Sequence, residues 1–283
     1  MSVKSLEVIM NIVQRNFFRL IRSGAFDMKE QVEPMSACKW DKVCQLAVMH
    51  DVAEAVYEGL EKCRDQFFLH LTEAQWKQWA KTIEELKKKQ STDEEDEFLR
   101  ADHLTNPMLN LKLQSILDDE QSDVSTRQLL LIIIRIARHI LNEGMPIRQL
   151  LELGRYLRTE SHHVDFFTLQ RWLKKLNLTQ IGQLEGELLI QMFGFEREDI
   201  PFAQNKRNTE VEKVAQELTE FTNTRAQDFY FSQESGNVFV HTSNGSAMLG
   251  HIKRSARYFR YLPSETITNF FVSFAHSLSH IEE

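Results

Sequence analysis

The sequence predicts a mainly α-helical chain, a multi-helix bundle with at most one short β-hairpin near residues 229–242, and three observations carry that expectation. Glycine and proline, which interrupt helices, number only 10 and 5 among 283 residues. Apolar residues recur mostly at three- and four-residue spacing rather than in alternation. Hydrophobic residues are 42% and charged residues 27%, enough apolar surface for a core and too little charge to favour disorder.

The elements follow in order. A first helix over about 5–22 puts Leu6, Ile9, Val13, Phe17, Leu20 and Ile21 on one face, with Gly24 suited to its C-terminal cap. Ser36 is placed to cap a second helix carrying Trp40, Val43, Cys44 and Ala47, and Asp51 to begin a third through Val56 and Leu60. Thr72-x-x-Gln75 is a capping-box pattern ahead of Trp76, Trp79, Ile83 and Leu86.

Another capping box, Ser125-x-x-Gln128, leads into a segment so apolar between Leu129 and Leu141 that it belongs at the centre of a core. Gly144 ends it, and Pro146 fits the first turn of a helix bearing Ile147, Leu150, Leu151 and Leu157. Asp165 caps the next helix, with Val164 and Leu169 as a hydrophobic staple. A helix over about 179–193 closes at Gly194, and Thr209-x-x-Glu212 opens another. Only from Phe229 to Thr242 does the period change, with Phe229 and Phe231, a Glu234-Ser235-Gly236 turn, then Val238 and Val240.

Three stretches emerge: an N-terminal helical unit over 1–90, a polar and acidic linker over 91–124, and a C-terminal helical unit over 125–283, the two units being free to pack as one domain. The run Asp93-Glu94-Glu95-Asp96-Glu97, just after Lys87-Lys88-Lys89, has no apolar period and marks the linker.

Several function classes lose support. The longest aliphatic run, Leu129 to Ile134, stops at Arg135, whereas a membrane span needs roughly 20 apolar residues. The N-terminal stretch is amphipathic and carries Arg15, Arg19 and Arg22, so a cytoplasmic rather than a secreted protein is expected. Cys38, Cys44 and Cys63 are odd in number and form no C-x-x-C pair, which argues for reduced thiols and against a zinc ribbon. The net charge of −7 gives no general attraction to nucleic acid. No G-x-S-x-G, H-E-x-x-H, G-x-G-x-x-G or phosphate-loop motif occurs, and no cofactor, metal or catalytic residue is nominated.

Two constellations remain. His139 and Glu143, four apart, are placed to meet Arg148 or Glu152 across the Gly144 turn as a polar cluster beside a very apolar helix. Lys253, Arg254, Arg257 and Arg260 fall at helical spacing among Tyr258, Phe259 and Tyr261, a basic stripe for an anionic ligand, surface or partner, or one whose aromatics pack while its arginines stay in water. The pairs His276 with His280 and His162-His163 beside Asp165 lack a third ligand and read as a C-terminal helix and a turn with its cap.

Three segments carry a resemblance. They are Phe18-Arg19-Leu20-Ile21-Arg22-Ser23-Gly24 with Val56-Tyr57-Glu58-Gly59-Leu60, then Ala137 to Leu150 with its His139, Glu143-Gly144 and Arg148-Gln149-Leu150, and finally Lys253 to Glu265. In order and spacing they resemble an uncharacterised nucleotidyltransferase family of bacteria, often associated with polysaccharide or cell-surface biosynthesis. Pro146 stands where that family usually has glycine, and Glu152 where it has aspartate.

The resemblance implies Mg²⁺ held by an Asp-x-Asp pair beside a phosphate loop. Gly245-Ser246 is followed by no such pair, and Asp118-Asp119-Glu120 follows no strand or phosphate loop. The expectation is therefore a non-catalytic interaction or regulatory relative, its partner another protein. The alternatives are a divergent nucleotidyltransferase, with an unrecognised or partner-supplied centre, and an anionic-surface binder acting through the basic C-terminal helix.

Overall fold

The computed structural model describes residues 10–90, 103–119, 122–142, 147–203, 211, 213–215, 258–269 and 271. Among them the regular elements are helices: α1 (Ile12–Phe26), α2 (Ala37–Met49), α3 (Ala53–Lys62), α4 (Glu73–Gln90), α5 (Pro107–Leu117), α6 (Val124–Asn142), α7 (Ile147–Glu160), α8 (Phe166–Lys175) and α9 (Thr179–Phe193), with a short tail helix over 263–269. The mainly helical class is as the sequence predicts. The hairpin expected near 229–242 lies outside the described residues.

The chain divides into two compact units, and neither is continuous in sequence. The first takes residues 1–95, 188–196 and 206–237; the second takes 96–187, 197–205 and 238–283. The expected linker contains a proper element, because α5 buries Leu109, Leu113 and Ile116 and belongs to the second unit. Helix α9 contributes to both, up to Glu187 in the second unit and from Leu188 in the first.

In the first unit α1 begins at Asn11, whose side chain accepts from Val13 and Gln14 while Gln14 reaches back, a reciprocal cap. Gly24 does not end the helix as expected. It lies inside α1, and Asp27 at φ 54° is the left-handed cap instead. Gly24 and Gly59 let α1 and α3 touch backbone to backbone: a Cβ on Gly24 would meet the Ala55 carbonyl, and one on Gly59 the Leu20 carbonyl. Phe17, Phe18, Leu20, Ile21, Trp40, Val43, Val56 and Leu60 fill the core, with Phe193 edge-on to Phe18 at 6.1 Å.

The extended stretch between α1 and α2 is strapped to α1 by its arginines. Arg15 grips Glu33 with two hydrogen bonds of 2.7 Å, Arg19 reaches the same carboxylate at 2.8 Å, and buried Arg22 holds Glu30 at 2.6 Å. Ser36 occupies the N-cap of α2 without a side-chain cap bond, and α3 starts at Ala53 rather than at Asp51, which takes a left-handed turn at φ 52°. The Thr72–Gln75 box forms as expected.

The second unit is organised around α6, whose Leu129, Leu130, Ile133, Ile134 and Ile136 are fully enclosed apart from a trace of exposure. Its cap is Asp123, bonded to the backbone and hydroxyl of Thr126, instead of the Ser125 box. Asp165 caps α8 through Phe167 and Thr168, and Gly194 at φ 70° follows α9, both as the sequence predicts. No described helix is long and apolar enough to cross a membrane.

Candidate functional site

The expected polar cluster is a seam between α6 and α7. Arg135 pairs with Glu152 at 3.0 Å, and one turn further along α6 the His139 ring lies 3.3 Å from Gln149, a pairing that runs antiparallel. Tyr156 donates to the Ser125 carbonyl at 2.9 Å near the other end. Glu152 therefore spends its carboxylate on Arg135, the residue that ends the aliphatic run of α6. Arg148 is solvent-exposed, and Glu143 lies outside the described residues. The seam pairs polar side chains between two amphipathic helices, a structural task, although the buried Gln149 Oε1 finds no hydrogen bond among the described residues.

The tail splits in the same way. Tyr258 and Tyr261 are buried, Arg260 and Phe259 exposed, and Lys253, Arg254 and Arg257 lie outside the described residues. The buried stripe Leu262, Glu265, Thr266 and Asn269 is largely polar. Glu265 explains part of it: its carboxylate accepts from the backbone of Thr105 at 2.8 Å and Asn106 at 2.9 Å, just ahead of α5.

Of the two histidine pairs only His162-His163 falls among the described residues, on a turn beside a helix cap. His162 and His163 lie with ring centroids 4.0 Å apart and tilted by 46° on an exposed turn, next to the Asp165 cap. His276 and His280 lie outside the described residues. Among the described residues no three His, Cys, Asp or Glu converge as a metal site would require. Comparison with protein-family models, curated proteins and solved structures finds no match for this chain.

The feature that sequence reasoning missed is a presented aromatic loop in the first unit, after α3. Phe67 is 80% exposed and Phe68 47%, with their rings edge-on at 5.2 Å, and His70 stands edge-on to Phe67 at 5.9 Å. Anchors flank the pair. Gln66 donates to the Glu30 carbonyl at 2.7 Å and accepts from Val32 at 2.9 Å, Leu69 is buried, and Cys63 is buried on the other side. Arg64 lies over the Trp76 ring at 5.0 Å.

The strap therefore fixes the loop: arginines on α1 hold Glu30 and Glu33, and the backbone between those acids holds Gln66. Two phenylalanines left in water on an anchored loop are the kind of apolar surface that marks a binding site. The available signal is Phe67-Phe68 itself, two large aromatic residues lying between the predicted third and fourth helices, where no helical apolar period accounts for them.

A second oddity lies in the second unit. Glu185 on α9 is fully buried, and among the described residues neither of its carboxyl oxygens has a hydrogen-bond partner. Burial alone pushes its pKa well above the usual carboxylate range, which favours the protonated form. Two residues on, Glu187 is paired with Arg197.

Proposed function

We propose that this chain is a non-catalytic interaction protein with a regulatory role, and a relative of the bacterial nucleotidyltransferase-like proteins that its helical flanks resemble. The observation that carries the reading is the anchored loop with Phe67 and Phe68 in solvent. Leaving two large aromatic side chains in water costs apolar burial that an interior position would have recovered. A binding partner recovers it, and aromatic side chains are the residues that dominate such contacts.

The kinship is supported by Phe18 to Gly24, by His139 through Leu150 and by the segment up to Glu265, each in family order. The loop itself is tested by its removal. Replacing Phe67→Ser together with Phe68→Ser is expected to leave the melting temperature within about 2 °C of the parent, as for surface positions that fold without those contacts. A drop of many degrees would make the pair part of the core and withdraw the reading's main support.

A further inference from the structure

In the second unit, α5 and α8 each bury one face and leave the other in water. On α5 the buried residues are Leu109, Leu113 and Ile116, while Met108 and Leu111, both 73% exposed, share the outward side with Lys112 and Ser115. On α8 the buried residues are Leu169, Trp172 and Leu173, and the outward side carries Phe167, 77% exposed, then Arg171, Lys174 and Lys175. The Lys175 ammonium donates to the Ser115 hydroxyl at 3.1 Å, so the two outward stripes meet near the C-terminal ends of both helices.

The charge on this face opposes that of the chain. The protein carries −7 overall, yet the two stripes carry Lys112, Arg171, Lys174 and Lys175. Lys112 and Lys174 have no salt bridge among the described residues. Basic side chains near a helix C-terminus suit the helix dipole, which accounts for Lys174 and Lys175 in part. The dipole gives no reason for three large apolar side chains to stand in water beside them.

We propose that the joined outward faces of α5 and α8 are a docking surface for an acidic, amphipathic segment of a partner protein. Its apolar side chains would cover Met108, Leu111 and Phe167, and its carboxylates would meet Lys112, Lys174 and Arg171. The surface is distinct from the Phe67–Phe68 loop and rests on its own observations. An anionic membrane fits less well. Exposed Asp165 lies two residues from Phe167, and exposed Asp118 follows α5 directly, so inserting these apolar side chains would press both carboxylates against like-charged headgroups. A partner helix is narrow enough to leave them in water.

The test is selection of displayed random peptides, roughly 16 residues long so that they can form a helix, on the full chain, followed by titration of the enriched sequence as a labelled synthetic peptide. The expected peptides are net acidic, with apolar residues at helical spacing, and bind more weakly as salt rises. Their affinity falls at least about tenfold in Lys112→Glu with Lys174→Glu. It also falls in Leu111→Ser, a variant that keeps the charge and separates the apolar contribution. Circular dichroism of both variants is expected to match the parent, since all three side chains are exposed.

Enriched peptides without net negative charge, or binding indifferent to these substitutions, would overturn the proposal. Loss of binding only in Phe67→Ser with Phe68→Ser would also overturn it, while leaving the general reading of function intact. Phosphatidylserine vesicles that sediment the parent chain but not the double lysine variant would assign the face to a membrane. Self-association dissolved by Leu111→Ser would assign it to a second copy. Either result contradicts an acidic protein segment.

Discussion

Glu185 and Glu33 show how environment sets the sign of a residue's effect on stability. Glu185 has its pKa raised by burial, so the folded state keeps a proton that the unfolded chain releases as pH rises past the ordinary value near 4.5. Its neutral form costs nothing electrostatically in acid, and stability falls with increasing pH until the raised pKa is reached. Glu33 runs the other way. Hydrogen bonding to Arg15 lowers its pKa, with further help from the Arg19 charge, so its contribution is present above the ordinary value and is lost as pH falls through the lowered one.

Glu185→Gln replaces the acid by a neutral isostere. Its urea midpoint is expected to match the parent near pH 4 and to exceed it by a margin that grows as pH rises from the ordinary carboxylate range to the raised pKa, flattening one component of the pH profile. A variant less stable than the parent at pH 8 would mean that Glu185 is charged and paired. The buried position was legible in principle, because Glu185 lies four residues after Ile181 and three before Leu188 on a helix the sequence does predict. What the sequence does not reveal is that no partner comes to meet it. Glu152 is the converse: its partner Arg135 lies 17 residues away on the preceding helix, a pairing that only the antiparallel packing of α6 on α7 creates.

At the scale of the element, the helices other than α5 are readable in the sequence, and helix ends are readable only where a local group, a capping side chain or a left-handed glycine, sets them. The Thr72–Gln75 box, Asp165 and Gly194 stand where the sequence puts them, since each satisfies or releases backbone groups locally. Gly24 misleads because glycine answers two needs. Here it removes a side chain at a close crossing instead of supplying a left-handed turn, and the neighbour requiring that is more than 30 residues later in the chain. Gly59→Ala drives a methyl onto the Leu20 carbonyl, backbone that cannot step aside. A loss of about 3 kcal/mol is expected by urea unfolding, and a loss under about 0.5 kcal/mol would mean that the helices are not in contact there.

Glu265 ties another element down. The tail helix over 263–269 has little length of its own, and its carboxylate clamp on the Thr105 and Asn106 amides joins it to the start of α5. In Glu265→Gln one of those two amides faces an NH2 and loses its acceptor, and the other keeps only a neutral one. Faster hydrogen exchange at Thr105 and Asn106 is expected, with α4 amides unchanged; equal exchange in parent and variant would count against the clamp.

For the whole molecule, the sequence reading yields a mainly helical chain but not the division of that chain. Apolar periodicity reports which face of a helix is buried and is silent on which helix buries it, so it suggests only units that are consecutive stretches. The compact units instead trade segments: 188–196 joins the first, and α5, from within the expected linker, joins the second. The same limit hid the aromatic loop, whose meaning depends on Gln66 finding the strap more than 30 residues earlier.

The proposed role, contact without turnover, applies to the chain as a whole. Its most direct test is pyrophosphate release from nucleoside triphosphates by the purified full chain with Mg²⁺. Release indistinguishable from the protein-free rate is predicted at every pH assayed. Metal-dependent release that disappears when one particular aspartate or glutamate is replaced by its amide would contradict it.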